Sequence, residues 1–563
     1  MAATHSPYDT YTSPLATRNA SEEMLRLWSA RHKFNTWRRI WLAVAEAQHE
    51  MGLGDQRAPS DQRAPSVSEG NKAAGETTSR RPVADAPGSS TQLVTKEQVE
   101  ELRAVVNRPG GITDDEIRLA EKYERELRHD VMAHVHALGD SCPKAKGIIH
   151  LGMTSQDVVC NADLLILGTA RGIIQSKLAA VTIALGTVAA RFRALPTLGF
   201  THYQPAQPTT VGRRCAMWAA ELHLAGERIE YSSRVVERWR GMRGATGTQA
   251  SFLSLFAGNT DAIDRFEQAV VRRLLFADVA ARHDSAVPPI STQAPASKGN
   301  GGVCFWASGQ TYPRVFDSFM LGDLASVAAV LHKIATDIRL LCNRKEIDEP
   351  FEDKQIGSSA MPYKRNPMRC ERICGLSRFV MNLVGNAYDT AATQWLERTL
   401  DDSSNRRLSL PEAFLALDGA LDLMHNVASG LIVHEAMVKK NLMAELPFMA
   451  TENILMECVK LGGDRQHYHE LIRQHAQAAG LRVKQEGLDN DLLDRLKNDK
   501  NFWSTKRGGP LSAELNWDGV MDPMKYIGRS VEQTEQFIKE IVEPVREDYG
   551  DALAALGTSG PRV

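Results

Sequence analysis

Residues 312–345 read YPRVFDSFMLGDLASVAAVLHKIATDIRLLCNRK, and this segment indicates the fold class. Its apolar side chains step by three or four residues for about nine turns, the spacing of an α-helix with about 3.6 residues per turn. A helix of this length needs neighbours of similar length to bury its apolar surface, so the stretch predicts a helical bundle. The apolar positions are Phe316, Met320, Leu324, Val327, Leu331, Ile334, Ile338 and Leu341.

The same periodicity recurs in other parts of the chain. It predicts long helices over 162–193, 209–240, 368–398 and 409–440, and an N-terminal helical region over 21–51. Alternating short strands are hard to find anywhere. The fold class predicted from the sequence is therefore all-α, and apolar residues on more than one helix face favour a homo-oligomer.

Composition excludes several classes of function. The chain has 563 residues and a net charge of -2, so it offers no overall field to recruit nucleic acid or an anionic membrane. The first twenty residues lack the apolar core of a signal peptide, and no apolar run approaches the roughly 18 residues of a membrane span. The eight cysteines are scattered, which is typical of reduced thiols. We expect a cytoplasmic protein.

Two stretches interrupt the helical pattern. Residues 54–90 contain the hexapeptide DQRAPS twice in tandem, at 55–60 and 61–66, followed by Gly, Ser, Thr and Pro. Their low apolar content cannot offset the entropy of ordering, so we predict a disordered insertion. Residues 287–302, rich in Pro and Gly, are predicted to form a surface loop.

Residues 357–367 read GSSAMPYKRNP and combine hydroxyls, cations and an amide between helical stretches. Gly357 allows more backbone conformations than other residues, whereas Pro362 and Pro367 restrict them. The loop can therefore move yet close into few conformations. Lys364 and Arg365 would bring positive charge to whatever Ser358 or Ser359 touches. The alternative is a solvated surface loop.

The first polar cluster is Arg128-His129-Asp130, followed by His134 and His136. His129 and His136 are close to two helical turns apart and could share a metal ion, although no Cys or carboxylate set completes such a site. Satisfied surface or core histidines are a second interpretation. A third is that Arg128 and His129 bind an anion at a cleft wall.

Two further clusters flank a predicted long helix. Thr154 and Ser155 open it with hydroxyls and free amides, which serve as an ordinary cap or accept a carboxylate. Thr201 and His202 follow it, where Pro205 and Pro208 are expected to impose an extended connector. A histidine there is either a loop residue or a general acid or base, since its unperturbed pKa is about 6.5.

A fourth cluster, residues 398–407, concentrates cations and hydroxyls beyond a long helix. It is either a solvated turn or, together with Arg372, a bidentate clamp for phosphate. No glycine-rich nucleotide motif, GxSxG elbow or HExxH helix occurs in the sequence, so phosphate would have to be held by arginines and helix ends.

These pieces, in this order, resemble the fumarase/aspartase superfamily, whose members share a GSSxMPxKxN-type loop. The narrower resemblance is to the adenylosuccinate lyase family in its eukaryotic form, and it covers about residues 8–545 apart from the two insertions. The segments that carry it are RHDVMAHV at 128–135, THYQPAQ at 201–207, GTQASF at 247–252 and RTLDDS at 398–403.

The resemblance implies a fold of three domains, with limits at 1–153, 154–408 and 409–563, and a mobile catalytic loop at about 350–367. It implies a homotetramer whose active sites each draw on three subunits, without metal or organic cofactor. The implied substrates are adenylosuccinate, cleaved to AMP and fumarate, and succinyl-aminoimidazole carboxamide ribotide (SAICAR), cleaved to its carboxamide (AICAR) and fumarate.

By position, Ser358 would be the base that takes a proton from the succinyl carbon, and His202 the acid that protonates the departing nitrogen. The developing dianion would be stabilised by Lys364, Asn366, Thr154 and Ser155. The remaining matching positions would contact substrate: Arg18, Asn19, Arg128, His129, Asp130, Thr201, Gln310, Arg372, Arg398, Ser403 and Arg407.

One departure stands out. Where the family usually has Ser-Arg-Tyr, this chain has Thr17-Arg18-Asn19, so a shorter amide replaces a tyrosine that contacts phosphate. Two rival functions also remain open. Argininosuccinate lyase would share the proton chemistry with a different substrate, and a catalytically silent oligomeric scaffold would share only the fold.

Overall fold

A computed structural model describes residues 11–53, 92–236, 238–282, 304–305, 307–352, 354–357, 359–503 and 515–556. The insertion predicted at 54–90 and the loop predicted at 287–302 lie outside these described residues, and so does Ser358.

The described ranges are dominated by helices, which confirms the all-α prediction. The α-helices are α1 (Glu22–Leu27), α2 (Ala30–Glu50), α3 (Lys96–Val106), α4 (Asp114–Leu127), α5 (Asp130–Ser141), α6 (Ser155–Arg191), α7 (Val211–Val236), α8 (Ala250–Leu255), α9 (Thr260–Arg282), α10 (Val315–Asn343), α11 (Met368–Ala392), α12 (Asp402–Ser429), α13 (Glu435–Met449), α14 (Thr451–Lys460), α15 (Arg465–Leu481), α16 (Leu492–Asn498), α17 (Trp517–Val520), α18 (Ser530–Phe537) and α19 (Glu543–Leu556). Short π-helical turns occur at Leu15–Asn19, Arg482–Glu486 and Ile538–Val542, and a 3₁₀ turn at Pro523–Lys525.

Helices α6, α7, α10, α11 and α12 form a central bundle around the largest apolar core. Within it α12 runs parallel to α6, because Arg406 of α12 pairs with Asp163 and Asp418 pairs with Lys177 further along both helices. Helix α11 runs antiparallel to α10, because Glu371 lies near Arg339 and Cys374 near Thr336. The apolar stripe quoted from α10 is buried here, as its periodicity predicts.

Two smaller apolar cores flank the bundle. One joins α2, α3 and α5 to α9 and to the start of α6, so residues 239–274 pack with the N-terminal helices. The other lies within residues 450–520 and is built from α14, α15, α16 and the segments that follow. The boundary predicted after residue 408 falls inside α12, whose later residues belong to the bundle core.

Although alternating short strands are hard to find in the sequence, the described residues include four short strands. β1 (Pro196–Thr201) and β2 (Gln204–Thr210) pair as an antiparallel hairpin, and β3 (Ile347–Asp348) pairs with β4 (Ile432–Val433). The predicted helix over 409–440 is also divided, because β4 separates α12 from α13.

Two bundle helices, α6 and α10, are long and apolar enough to cross a membrane by length and composition alone. Most of the apolar window of each is buried among neighbouring helices of the chain.

Candidate active site

The N-terminus of α6 brings two of the predicted clusters together. Thr154 caps the helix, and its backbone N–H donates to the Asp157 carboxylate across 2.7 Å. Ser155 is the first helical residue, and its Oγ lies 3.3 Å from Nε2 of the His129 imidazole. His129 Nδ1 accepts from the N–H of Met132 at 3.4 Å, so the neutral ring carries its proton on Nε2 and donates it to Ser155.

Asp130 links this cluster to the start of α12. Its Oδ2 accepts from Arg407 Nη2 at 2.7 Å, although the two residues are far apart in sequence. Burial raises the pKa of Asp130, but the Arg407 guanidinium and the N–H of Val131 outweigh it, so the net pKa is lowered. Arg128 precedes this pair in a left-handed conformation, with a φ of 55°, at the end of α4.

A buried ion pair between Asp157 and Arg240 organises the loops around this helix end. Both side chains are completely buried. Asp157 Oδ1 also accepts from the backbone N–H groups of Arg243 at 2.8 Å and Gly244 at 3.1 Å. Arg240 Nη2 donates to the carbonyls of Gly244, at 2.8 Å, and Gly309, at 3.2 Å. One carboxylate and one guanidinium thus hold three chain segments together.

Glycine at 247 allows the GTQASF segment to pack against residues 308–310. Its φ is +84°, and a Cβ at this position would overlap the carbonyl of Ser308. The next residues connect to the fourth cluster, since the N–H of Gln310 donates to the carbonyl of Glu397 at 2.9 Å. The structure therefore brings Gln310 close to Arg398.

Arg398 is held by a buried carboxylate. Its Nη1 donates to Asp402 Oδ2 at 2.7 Å, and the same oxygen accepts from Arg314 Nε at 2.8 Å. Ser403, in the first turn of α12, donates its N–H to the carbonyl of Leu400 at 3.1 Å. The fourth cluster is thus an ordered helix start, in which Asp402 anchors Arg398 and Asp130 anchors Arg407.

Arg18 and Arg372 form a separate cationic pair further along the bundle. Burial, and then the guanidinium groups of Arg18 and Arg369, lower the pKa of Arg372. Asn19, which replaces the family tyrosine, donates its side-chain amide to the carbonyl of Pro14 at 3.0 Å. The amide therefore closes its own π-helical turn.

The loop at 357–367 is folded on itself. Asn366 Nδ2 donates to the carbonyl of Gly357 at 2.8 Å, and the N–H of Lys364 donates to the carbonyl of Met361 at 2.9 Å. Lys364 itself is exposed. The predicted base, Ser358, lies outside the described residues.

The base of this loop is clamped. The Glu349 carboxylate accepts from the N–H groups of Arg369 and Cys370, both at 3.0 Å, and so caps α11. The Arg369 guanidinium reaches back to the Pro350 carbonyl and to Glu352. Burial raises the pKa of Glu349 more than these donors lower it. The two ends of the loop are therefore tied to each other.

His202 lies at the exposed tip of the β1–β2 hairpin. Thr201 pairs with Gln204, so His202 and Tyr203 form the two-residue turn, with φ values of 52° and 58°. Two left-handed residues are what such a tight hairpin requires, but His and Tyr are unusual there and cost about 1–2 kcal/mol each. The Arg344 guanidinium, just after α10, lies 4.8 Å from the Phe200 ring and fixes the tip at that end of the bundle.

Most of the predicted site residues therefore occupy the two ends of the chain's bundle, and Arg18, whose turn rests on Gly419 of α12, lies between them. Thr154, Ser155, His129 and Arg407 lie where α6 begins, whereas the hairpin with His202 follows its end. At about 1.5 Å per residue, α6 separates these ends by about 55 Å. The loop with Lys364 joins the end of α10 to the start of α11, so it lies at the hairpin's end. A single chain does not bring these groups into one cavity.

The structure also adds residues that the sequence patterns did not single out. Lys33 of α2 lies 4.9 Å from the Trp37 ring centre, and burial and then Arg407 lower its pKa. His150 has a left-handed φ of 71° before the α6 cap, and its Nδ1 accepts from Trp41 Nε1 at 3.1 Å. No sequence signal marked Lys33 or His150, because the contacts of Lys33 with Arg407 and of His150 with Trp41 join residues distant in sequence.

The possible metal site at His129 and His136 gains no support. His129 is engaged with Ser155, His136 lies 5.4 Å from the Tyr123 ring, and His134 stacks on Phe34 at 3.7 Å. Among the residues that the structure describes, no group of three or more His, Cys, Asp or Glu side chains is placed to hold a metal ion.

Solved structures share this architecture. The 3-carboxy-cis,cis-muconate lactonizing enzyme of Pseudomonas putida superposes with a TM-score of 0.69 at 20% identity, covering 94% of this chain and 99% of its own. A fumarate lyase of Mesorhizobium sp. BNC1 gives 0.68 at 20% identity, covering 94% and 100%. Residues 90–274 and 315–382 match the family described as "Lyase". The chain is therefore a lyase with the fumarase/aspartase fold.

Sequence relatives narrow the class. The adenylosuccinate lyase of Schizosaccharomyces pombe is 44% identical over 547 residues, covering 97% of this chain and 96% of the relative. That of Saccharomyces cerevisiae is 42% identical over 542 residues, covering 96% and 97%. Residues 447–537 match the family described as "Adenylosuccinate lyase C-terminus". The chain belongs to the adenylosuccinate lyase family, which confirms the resemblance drawn from its motifs.

Proposed function

We propose that this enzyme cleaves adenylosuccinate to AMP and fumarate, and SAICAR to AICAR and fumarate. The observation that carries the proposal is the cluster where α6 begins. There the His129–Ser155 hydrogen bond and the Asp130–Arg407 ion pair unite four positions that match substrate contacts of the family. Cations, hydroxyls and a helix N-terminus suit a ligand that carries phosphate and carboxylates.

The first chemical step is removal of a proton from the succinyl carbon by Ser358. The carbanion next to the carboxylate becomes a dianion, which Lys364, Asn366, Thr154 and Ser155 stabilise with fixed charge and donors. Asn366 is already oriented by the Gly357 carbonyl, and Ser155 by His129. These two hydrogen bonds orient the side chains in advance, so Asn366 and Ser155 need not reorient during the reaction.

The second step breaks the carbon–nitrogen bond. The electron pair of the dianion forms the double bond of fumarate, and the nitrogen leaves with the bond's electrons and takes a proton from His202. A serine hydroxyl is too weak a base when free, so we propose that Lys364 and loop amides activate Ser358. An unchanged pH–rate profile in Lys364→Ala would contradict this activation.

We further propose that each site is completed by other copies of the chain in a homotetramer. The axial separation of about 55 Å leaves His202 without the α6 cluster in its own chain. Helix α7 also exposes an apolar stripe at heptad spacing, in which Met217, Leu224 and Tyr231 are 39%, 67% and 67% exposed. Packing this stripe antiparallel against the same stripe of another copy would bring opposite bundle ends together. Light scattering of the purified protein tests the tetramer.

Fumarate release tests the substrate. Purified protein is mixed with adenylosuccinate, with SAICAR and, separately, with argininosuccinate. Release from the first two alone supports the proposal. Release from argininosuccinate alone would favour the rival lyase, and release from none would favour a silent scaffold.

We also propose that the enzyme works in the cytoplasm. All eight cysteines carry free thiols, and seven are buried, which suits a reducing compartment. Localisation of a fluorescent fusion in living cells tests this, and enrichment in an organelle would contradict it.

A further inference from the structure

The segment before α1 is attached to the middle of α12 at several points. Leu15 is buried in the bundle core. At the other end of the segment, the N–H of Ser21 donates to Asp418 Oδ2 at 2.6 Å. Between these anchors lies the π-helical turn Leu15–Asn19, which carries Arg18.

A buried charge cluster holds the Asp418 carboxylate. Lys177 Nζ of α6 lies 2.5 Å from Asp418 Oδ1 and 2.8 Å from Asp422 Oδ1. Burial lowers the pKa of Lys177, but the two carboxylates outweigh it, so the amine stays charged. With one Asp418 oxygen occupied by Lys177, the other is oriented toward Ser21.

Gly419 makes room for the turn. A Cβ at this position would lie 2.6 Å from the carbonyl oxygen of Asn19, which is closer than non-bonded atoms approach. The backbone that follows Arg18 therefore rests directly on the α12 backbone. Any larger residue at 419 must lift the turn away.

The same level of the bundle carries Arg372. Helix α11 packs antiparallel against α12, and the 2.7 Å hydrogen bond from Asn405 Nδ2 to Asn386 Oδ1 sets their register. Counting along both helices from that pair places Arg372 opposite Gly419, two residues after Cys370, whose N–H donates to Glu349 at the loop base. Two guanidinium groups repel one another unless an anion lies between them, so their approach must be supported by other contacts. The anchors at Leu15, Asn19 and Ser21 provide that support.

We propose that Asp418 and Gly419 form a seat for residues 15–21 and act as positioning residues that hold Arg18 beside Arg372 to receive the substrate's phosphate. The inference rests on the proposed function, since it concerns the phosphate of that substrate. Neither Asp418 nor Gly419 touches substrate. They set the position of Arg18 through the backbone of the turn.

Gly419→Ala tests the seat. It should raise KM for adenylosuccinate about tenfold or more and weaken inhibition by inorganic phosphate by a similar factor, because a charge-assisted hydrogen bond is lost. The value of kcat should change little, since the reacting atoms are remote. Turnover of succinyladenosine, which lacks the phosphate, should keep its kcat/KM. Gly480→Ala in α15, where a Cβ meets nothing within 4 Å, is the matched control.

A second pair of variants keeps the test valid should Gly419→Ala fold poorly. Ser21 has a φ of -66°, which proline also adopts, so Ser21→Pro removes the N–H donor without backbone strain. The Ser21 hydroxyl also caps α1 by accepting from the N–H of Met24. Both substitutions remove this hydroxyl, but Ser21→Ala retains the backbone N–H. Ser21→Pro should reproduce the KM and phosphate effects, and Ser21→Ala should not.

The outcomes separate the two proposals. A wild-type enzyme that releases no fumarate from adenylosuccinate overturns the proposed function. With an active wild type, unchanged KM and phosphate inhibition in folded Gly419→Ala and Ser21→Pro would overturn the seat. An equal fall in kcat/KM for adenylosuccinate and succinyladenosine would also overturn the seat, because such a fall would indicate general damage to the enzyme.

Discussion

Arg407 Nη2 and Asp130 Oδ2 are joined by a hydrogen bond of 2.7 Å that ties the second turn of α12 to the first turn of α5. The pair is partly exposed, with 55% of the Arg407 side chain and 25% of the Asp130 side chain accessible. Its position between the N-terminal helices and the bundle suggests a larger role in orienting Arg407 than in stability.

A double-mutant cycle of Asp130→Asn and Arg407→Gln should therefore give a small coupling in the free energy of unfolding. We expect about 0.5–1 kcal/mol, as for other partly exposed ion pairs. Activity should fall far more in Arg407→Gln than stability does. A coupling above several kcal/mol in chemical denaturation would show that the pair is mainly structural.

Mixing two inactive variants should restore activity. His202→Gln damages the hairpin end of the bundle and His129→Gln the α6 cluster, and these ends belong to different copies in each proposed site. When tetramers are mixed at equal ratio after dissociation, about a quarter of sites should combine intact halves. Fumarate release measured before and after mixing checks this, and no gain on mixing would contradict shared sites.

Gly247→Ala should destabilise the enzyme more than Gly258→Ala. Both glycines have a φ of +84°, so alanine costs about 1–2 kcal/mol of backbone strain at either position. At Gly258 a Cβ meets nothing within 4 Å, whereas at Gly247 it overlaps the Ser308 carbonyl. Comparing the melting temperatures of the two variants isolates this contact. Equal decreases in melting temperature would mean that the segments 247–252 and 308–310 are not packed as described.

Folding stability should fall in mild acid because of His134. Burial, and then Arg38 and Lys33, lower the pKa of this histidine to about 4. The unfolded state takes up a proton near pH 6.5 and the folded state only near pH 4, so stability is retained above pH 6.5 and lost between those values. We expect about 2 kcal/mol of this loss by pH 5.

His134→Phe retains the stack on Phe34 but removes the titrating group. The pH dependence of its unfolding free energy between pH 7.5 and pH 5 should be shallower than that of the wild type. Parallel curves for the two proteins would contradict the assignment to His134.

Asp157→Asn should destabilise the enzyme by about 3–5 kcal/mol, because it leaves the buried Arg240 charge uncompensated. The double variant Asp157→Asn/Arg240→Gln should be less affected than the sum of the two single variants. Chemical denaturation measures the three variants, and strict additivity would show that the two side chains do not interact.

Much of the architecture was predictable from local sequence. The stripe of Phe316, Leu324, Leu331 and Ile338 predicts one long helix, because the spacing of its apolar side chains follows the helical repeat. The family resemblance likewise depended on short segments such as the one beginning at Gly357. In both cases the signal lies within a few consecutive turns of chain.

The β1–β2 hairpin was not predictable in this way. Its turn residues, His202 and Tyr203, are not the Asn and Gly that mark such turns, and its prolines suggested a simple extended connector. The Phe200 ring instead lies 4.8 Å from the Arg344 guanidinium and 5.7 Å from the ring of the turn residue Tyr203, and these contacts have no local sequence signal. The bulged register around Gly199 is equally a product of strand pairing.

Periodicity and composition along the chain are enough to predict the all-α class, the long helices and the residue types available for chemistry. The pairs that meet are seen only in the folded chain: Ser155 with His129, Asp157 with Arg240, Asp130 with Arg407. The folded chain also places His202 and Ser155 at opposite ends of α6. Such contacts depend on how helices are stacked and directed, and side chains far apart in sequence carry no local signal of that arrangement.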